Sequence, residues 1–242
     1  MATTLCLDFG NTRLKYAVFE ADAFSHEGLL ENDSIDTIKE LIAKYQPSKS
    51  ILSSVVNHNA AIETLLQVET NFHKLSHATK LNFTTAVAKP ETIGADRLAL
   101  AAAAAHFFPN KNNLVIALGS CITYNFINQY HELIGGAISP GMEMRFRSMH
   151  EHTALLPQAR PAWNFPVVAY DTVTNLQSGV IAGIGFEMDG FIDFYEQKYG
   201  NFNVVLTGGD AAHFARRLKS RIFTDAHFLF KGLYAISEIN NS

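Results

Sequence analysis

The sequence predicts an α/β fold made of two similar lobes, and three observations lead to this prediction. Short apolar segments typical of buried strands alternate with segments of helical periodicity along the chain. A pattern of strand, glycine turn and strand occurs near position 10 and again near position 119. The 242 residues, of which 48% are hydrophobic, can bury a large core and correspond to about one and a half ordinary domains.

The first half of the chain is predicted to begin with a β-hairpin. The segment 4–8 forms the first strand, the turn-forming residues Gly10, Asn11 and Thr12 end it, and residues 14–19 form the second strand. Apolar residues at helical spacing then predict a helix over 34–45, which Pro47 ends. The next predicted elements are a strand at 50–56, a helix at 59–67, a strand at 72–75 and a loop over 79–92.

An alanine-rich segment separates this hairpin from the second one. It predicts a helix over 98–108, because alanine is the strongest helix former, and its five successive alanines leave a small-sided face for close packing. Strands at 114–117 and 123–127 around Gly119 and Ser120 form the second hairpin. Gly135-Gly136 and Pro140-Gly141 predict a loop. The remaining predicted elements are helices near 142–155, 177–199, 211–219 and 233–239, and a strand at 203–206.

Composition excludes several classes of protein. Charged residues make up 17% where about 25% is usual, and the net charge is −4, which excludes a disordered chain and a basic surface for nucleic acid. No segment approaches the roughly 20 uncharged apolar residues that span a bilayer, and the first residues show no signal peptide. Cys6 and Cys121 lie in apolar runs and form no disulfide framework. We therefore expect a soluble, cytoplasmic protein with no membrane or nucleic-acid partner, whose low charge suggests an oligomer.

The two hairpins resemble each other in sequence. When Gly10 is placed on Gly119, Asn11 falls on Ser120 and Val18 falls on Ile127. Two interpretations remain open: the hairpins are unrelated, or they belong to a duplicated lobe and hold one phosphate tail from opposite sides.

The segment from Asp8 to Lys15 is a candidate phosphate site. Gly10 permits a tight turn and close approach of a ligand, and successive backbone N–H groups at such a turn bind anions. Asn11 and Thr12 add donors, and Lys15 can bring a positive charge to the phosphates. Asp8 can hold Mg²⁺ directly or through water. The alternative is a plain hairpin with an exposed lysine.

Two further segments are candidate sites. Asp96 and Arg97, in the first turn of the alanine-rich helix, either cap it or act on an anionic substrate, with Asp96 accepting a hydroxyl proton and Arg97 keeping it ionised. In the segment Thr207-Gly208-Gly209-Asp210, the two glycines let a nucleotide base and ribose lie against the backbone.

Three other features have structural explanations. His150 and His152 lack the accompanying ligands of a metal site and predict a solvated helix. Gly179 and Gly183 predict a helix–helix or dimer contact. Trp163 is interpreted as a packing residue.

Taken together, these motifs resemble the type III pantothenate kinase family over nearly the whole chain. The resemblance implies the actin/Hsp70/sugar-kinase fold, with two ribonuclease-H-like lobes at 1–113 and 114–242 and ATP between them. It also implies a homodimer that transfers the γ-phosphoryl group of ATP to pantothenate, giving 4'-phosphopantothenate in the first step towards coenzyme A. The matching segments are Asp8-Phe9-Gly10-Asn11-Thr12-Arg13-Leu14-Lys15, Gly94-Ala95-Asp96-Arg97, residues 135–141, residues 153–157, Thr172 with residues 177–179, and Thr207-Gly208-Gly209-Asp210.

The resemblance also implies roles for individual residues. Asp96 matches the proton acceptor of the family, and Ser120 matches a threonine that contacts ATP. The segment from Asp8 to Lys15 matches the ATP phosphate loop, with Mg²⁺ supported by Asp8. The implied pantothenate contacts are Gly94, Ala95, Asp96, Arg97 and Thr172.

The sequence departs from the family pattern around the second hairpin. The family usually has an aspartate for K⁺ or NH₄⁺ where this chain has Ala117, and a methyl group offers no oxygen to a cation. A second usual aspartate is Asn125, and a frequent tyrosine is Val87. The departures at Ala117 and Asn125 leave open a catalytically weakened relative that binds nucleotide or pantothenate in a regulatory role. A kinase of another small hydroxyl substrate also stays open, because a fold does not determine the substrate. Glu143 and Asp171 are candidates to replace the missing aspartate.

Overall fold

The computed structural model describes residues 2–241, which form two compact units. The first unit contains the chain up to Asn110, Tyr130–Ile134 and the segment from His227 onward. The second contains Lys111–Gln129 and Gly135–Ala226. The division into lobes at 113/114 stays a prediction, and its end residues 1 and 242 lie outside the described residues.

The first unit is built on a five-stranded sheet. The strand order is β3-β2-β1-β4-β5, with β1 antiparallel to β2 and parallel to β4. Strand β3 is absent from the sequence-based prediction, because most of its side chains are exposed and show no apolar alternation. The strands are β1 (Thr3–Phe9), β2 (Leu14–Glu20), β3 (Ala23–Leu30), β4 (Lys49–Ser54) and β5 (Asn71–Lys74).

Helices cover both faces of this sheet. Leu5, Leu7 and Phe9 pack against the helices α1 and α2 in one core, while α8 contacts β1 and β4 and packs on α3. The alanines of α3 are buried, and a side chain at Gly232 in α8 would collide with the carbonyl oxygen of Ala99. The predicted close packing of a small-sided face is therefore confirmed. The helices are α1 (Ile35–Tyr45), α2 (Ala61–Glu69), α3 (Ala95–Phe107) and α8 (Phe228–Asn240).

The second unit repeats the topology of the first. Its strands follow the order β9-β8-β7-β10-β11, with β7 antiparallel to β8 and parallel to β10. This shared topology favours the duplicated-lobe interpretation over two unrelated hairpins. The strands are β7 (Asn112–Leu118), β8 (Cys121–Ile127), β9 (Glu132–Pro140), β10 (Phe202–Gly208) and β11 (Phe223–Thr224); the short β6 (Thr84–Thr85) of the first unit pairs with Glu132 and Leu133.

The structure corrects the predicted loop at Gly135-Gly136. Both glycines lie inside β9, and Gly136, at φ +153°, approaches the backbone of Tyr124 so closely that a side chain would collide with it. The predicted helix over 177–199 begins earlier and passes through a π-helical turn at Ser178–Ala182. The helices of this unit are α4 (Met142–Glu151), α5 (Thr172–Gln177), α6 (Gly183–Lys198) and α7 (Ala211–Ala215).

The two hairpins differ in the length of their turns. Phe9 pairs with Leu14 across the first turn, whereas Leu118 pairs with Ile122 across the second, which is one residue shorter. The alignment of Val18 with Ile127 is therefore wrong. By strand register, the counterpart of Val18 is Phe126, which pairs with Leu114 as Val18 pairs with Leu5.

Trp163 packs against the core of the second unit and stacks on His213, with ring centroids 4.5 Å apart, which confirms its predicted packing role. Among residues 2–241, no helix combines the length and apolar character needed to cross a membrane.

Candidate active site

The first hairpin presents its turn at the end of strand β1. The backbone N–H of Gly10 donates to the carbonyl oxygen of Arg13 at 3.2 Å, and the side chains of Asn11, Thr12 and Arg13 are largely exposed. Phe9 behaves differently, because its side chain is fully buried in the core and meets the ring of His58 edge to face. Phe9 therefore offers only its backbone to a ligand.

Asp8 lies just before this turn and is buried. Its carboxylate accepts a 3.2 Å hydrogen bond from the hydroxyl of Ser53, which is its register partner on β4. The pKa of Asp8 is raised to about 6, mainly by burial and also by the negative charge of Asp96, while the charge of Lys15 and the hydrogen bond from Ser53 act to lower it. The first unit thus brings Asp8, Lys15 and Asp96 within electrostatic range of one another.

Asp96 occupies the first turn of α3. Gly94 is the N-cap, and its carbonyl oxygen accepts from the backbone N–H groups of Arg97 and Leu98 at 3.0 and 3.1 Å. The carboxylate of Asp96 lies over Gly94, where a Cβ would be only 2.5 Å from its Oδ1. Gly94 therefore leaves the space that this carboxylate occupies.

Arg97 acts on the pKa of Asp96 in the expected direction, but burial acts against it. Burial is the largest influence and raises the pKa of Asp96, although a backbone hydrogen bond and the charge of Arg97 both lower it. The net result is a raised pKa. A carboxylate with a raised pKa is a better proton acceptor than an ordinary exposed aspartate.

A cavity of about 360 Å³ adjoins the start of α3 in the first unit. Gly94 and Ala95 line one part of it, next to Asp96, and Val55, Leu75 and Leu98 supply apolar contacts. Sequence reasoning missed Val55 and Leu75, and it also missed Ser53. Ser53 and Val55 could have been found from the sequence, because residues 53–55 follow a buried apolar run. In α/β sheets, ligand sites commonly lie where parallel strands end.

The second turn lies in the second unit. The N–H of Gly119 donates to the carbonyl oxygen of Cys121 at 3.1 Å, and Ser120 is half-buried. Gly208 has φ +97°, and a side chain there would collide with the backbone of Leu118, so its glycine is explained by protein packing. A Cβ at Gly209 would meet nothing within 4 Å, which leaves Gly209 accessible to a ligand.

The structure shows the surroundings of two positions considered for a monovalent-cation ligand, Ala117 and Asp171. Ala117 pairs with Thr123 as Asp8 pairs with Lys15, so a methyl stands at the place equivalent to the Asp8 carboxylate. Asp171 caps α5 by accepting from the N–H and hydroxyl of Thr174 at 3.0 and 2.7 Å, which gives it a structural role. Among the described residues, no three His, Cys, Asp or Glu side chains form a metal-binding group.

Thr172 begins α5 directly after this cap and is exposed. His150, which the sequence did not favour as a metal ligand, donates a 2.8 Å hydrogen bond from Nδ1 to the carbonyl oxygen of Leu156.

Solved structures of other proteins share the fold of this chain. A Campylobacter jejuni protein described as a Baf family transcriptional activator has a TM-score of 0.62 at 21% identity, covering 98% of both chains. The activator of 2-hydroxyisocaproyl-CoA dehydratase from Clostridium difficile, with bound ADPNP, has a TM-score of 0.54 at 10% identity, covering 99% of this chain and 94% of its own. These likenesses show the fold alone, which is of the actin/Hsp70/sugar-kinase type.

Sequence relatives identify the family. The family model described as type III pantothenate kinase matches residues 4–193. A type III pantothenate kinase of Flavobacterium johnsoniae is 38% identical over 95% of both chains, and one of Christiangramia forsetii is 38% identical over 98% of this chain and 99% of its own. The chain therefore belongs to the type III pantothenate kinase family.

Proposed function

We propose that this protein transfers the γ-phosphoryl group of ATP to pantothenate, giving 4'-phosphopantothenate on the route to coenzyme A. The observation that carries the proposal is the position of Asp96, a partly buried carboxylate with a raised pKa. It directly follows Gly94 and Ala95, which line a cavity, and it lies within electrostatic range of Asp8. Phosphoryl transfer needs positioning and charge stabilisation more than covalent chemistry, so few reactive groups are required.

In this proposal, one residue accepts a proton and the others bind pantothenate or ATP. Asp96 accepts the proton of the pantothenate hydroxyl, while Gly94, Ala95, Arg97 and Thr172 hold pantothenate. The segment from Asp8 to Lys15 holds the triphosphate through its backbone N–H groups and Lys15, and the hydroxyl of Ser120 contacts the phosphates from the second turn.

The carboxylates of Asp8 and Asp96 are suitable groups for binding Mg²⁺. Asp8 is a buried carboxylate whose pKa is raised, and Asp96 adds a second negative charge nearby, so a hard divalent cation would be stabilised there. Such an ion neutralises phosphate charge when bound. K⁺ or NH₄⁺ does not fit at position 117, because Ala117 offers no oxygen ligand.

A coupled assay with ATP, Mg²⁺ and pantothenate, with and without K⁺, tests the proposal. We expect a product one phosphoryl group heavier than pantothenate in both conditions. If no product forms while ATP still binds, the alternative of a weakened, regulatory relative is favoured, for which Ala117 is the motivating observation. A panel of hydroxy acids and sugars tests the third alternative, and faster turnover of one of them than of pantothenate would establish it.

We further propose a homodimer. A Cβ at Gly179, Gly183, Gly185 or Gly190 would meet nothing within 4 Å among the described residues, so the predicted helix contact is not made inside this chain. Phe186 and Phe194 on α6 are 61% and 59% exposed, which is unusual for aromatic side chains on a monomer surface. Sedimentation analysis should give twice the 26.7 kDa chain mass, and the variant Phe186→Glu should sediment as a monomer.

Two remaining elements of the proposal are the binding of ATP between lobes at 1–113 and 114–242, and a cytoplasmic location. The free thiols of Cys6 and Cys121 support a reducing compartment, because oxidising compartments favour disulfides.

A further inference from the structure

Gly141 makes an unusually close approach to the second turn. It is the N-cap of α4, and its backbone N–H donates to the carbonyl oxygen of Ser120 at 3.1 Å. A Cβ at position 141 would lie 2.6 Å from that same oxygen and closer still to the carbonyl oxygen of Gly119. The backbone angles, φ −69° and ψ 171°, suit any residue, so the requirement for glycine comes from the turn itself.

The base of the turn is held by a second glycine. Gly208 pairs with Leu118 across β10 and β7, and a Cβ there would lie 2.7 Å from the carbonyl carbon and the nitrogen of Leu118. Two separate chain segments therefore contact residues 118–120 through backbone atoms alone. Within the turn, the backbone N–H of Gly119 donates a hydrogen bond to the carbonyl oxygen of Cys121.

We propose that Gly141 is a positioning residue that holds the Gly119-Ser120 turn where it contacts the phosphates of ATP. The inference rests on the proposed function, in which Ser120 contacts ATP. Since phosphoryl transfer depends on the placement of the phosphates, a displaced turn weakens both ATP binding and turnover while leaving the pantothenate contacts of the first unit in place.

The variant Gly141→Ala tests this role by steady-state kinetics. The added methyl has backbone atoms as its neighbours, so the turn must shift. We expect kcat/KM for ATP to fall about 100-fold, the scale for a misplacement of about 1 Å, with KM for pantothenate nearly unchanged. Gly200→Ala is the matched control, because a Cβ there meets nothing within 4 Å, and it should keep wild-type kinetics.

Cys121 provides a local readout of the same turn. It is half-buried, whereas Cys6 is fully buried, so an alkylating reagent should modify Cys121 and spare Cys6 in the folded protein. We expect ATP to slow the alkylation of Cys121 in the wild type. In Gly141→Ala, the rate without ATP should change and the protection by ATP should be lost.

A measurement on the wild type covers the case in which Gly141→Ala does not fold. The amide hydrogen of Gly141 should exchange slowly with deuterium in the absence of ATP, because it is bonded to Ser120 in the free protein. Exchange at the rate of an unprotected amide would overturn the inference. So would a folded Gly141→Ala variant with wild-type kcat/KM for ATP and wild-type alkylation of Cys121.

The failure of the proposed function gives a different result. A wild-type protein that neither phosphorylates pantothenate nor shows ATP protection of Cys121 would overturn both the function and the positioning of ATP. Wild-type turnover with an unaffected Gly141→Ala variant would overturn the positioning role alone.

Discussion

The substitution Asp8→Asn should stabilise the folded protein while removing its activity. Burial raises the pKa of Asp8 from 3.8 to about 6, so the folded state opposes ionisation of this carboxylate. Each pKa unit corresponds to about 1.4 kcal/mol, so ionised Asp8 costs the folded state about 3 kcal/mol at pH 8. An amide at this position has no charge to bury and can still accept the hydrogen bond from Ser53.

The pH dependence identifies the charge as the cause. Because the pKa of Asp8 is raised on folding, the wild type loses stability as the pH rises from 3.8 through about 6. The stability advantage of Asp8→Asn should therefore be about 3 kcal/mol at pH 8 and about half of that at pH 5. Urea unfolding followed by circular dichroism, in a chelator that removes divalent ions, measures both values.

Asp171→Asn is the matched control, because Asp171 is an exposed helix cap whose pKa is lowered by its bonds to Thr174. Its relative stability should fall, not rise, as the pH increases. The reasoning about Asp8 is refuted if the difference between Asp8→Asn and the wild type is independent of pH, or if the variant is the less stable protein at pH 8.

Four further predictions concern the proton acceptor, its pH dependence, the cation and the helix packing. Asp96→Asn should lower kcat by about 10²–10⁴-fold without lowering the melting temperature, and a wild-type turnover would remove Asp96 from the mechanism. Since the pKa of Asp96 is raised, kcat/KM of the wild type should decline below a pH that is higher than 3.8, as a pH–rate profile would show. Ala117→Asp should make turnover respond to added K⁺, and equal rates with and without K⁺ would contradict this. Gly232→Ala should lower the free energy of unfolding by about 1–3 kcal/mol because its methyl meets the backbone of Ala99, whereas Gly200→Ala should unfold like the wild type.

Sequence reasoning was most successful where a local pattern determines the structure. The glycine turns of both hairpins and the alanine-rich helix depend on residues close together in the chain. The turn at Gly10 and the helix α3 both illustrate this. Each followed from turn chemistry or helix propensity.

It failed where long-range contacts decide the structure. Gly135 and Gly136 have the composition of a loop, but they lie in β9, where position 136 requires glycine because the backbone of Tyr124 on the neighbouring strand passes close to it. Strand β3 has few buried side chains and is held by pairing with β2.

The candidate site shows the same contrast. Asp8 and Asp96 could be picked out from their motifs, but their mutual electrostatic influence depends on the sheet and helix that bring them together. The contribution of Ser53 depends on the parallel register of β1 and β4, which no local pattern encodes. Likewise, the raised pKa of Asp96 comes from burial, although its sequence neighbour Arg97 alone would suggest the opposite direction.

The return of α8 to the first unit has a consequence for folding during translation. Helix α3 emerges from the ribosome long before α8, and the whole second unit is synthesised between them. The first unit therefore cannot reach its final packing until translation of α8 is complete, whereas the second unit can fold earlier. Until α8 has been synthesised, the face of α3 that will pack against α8 has no partner. This face consists mainly of alanines, whose small methyl groups offer little apolar area for premature association.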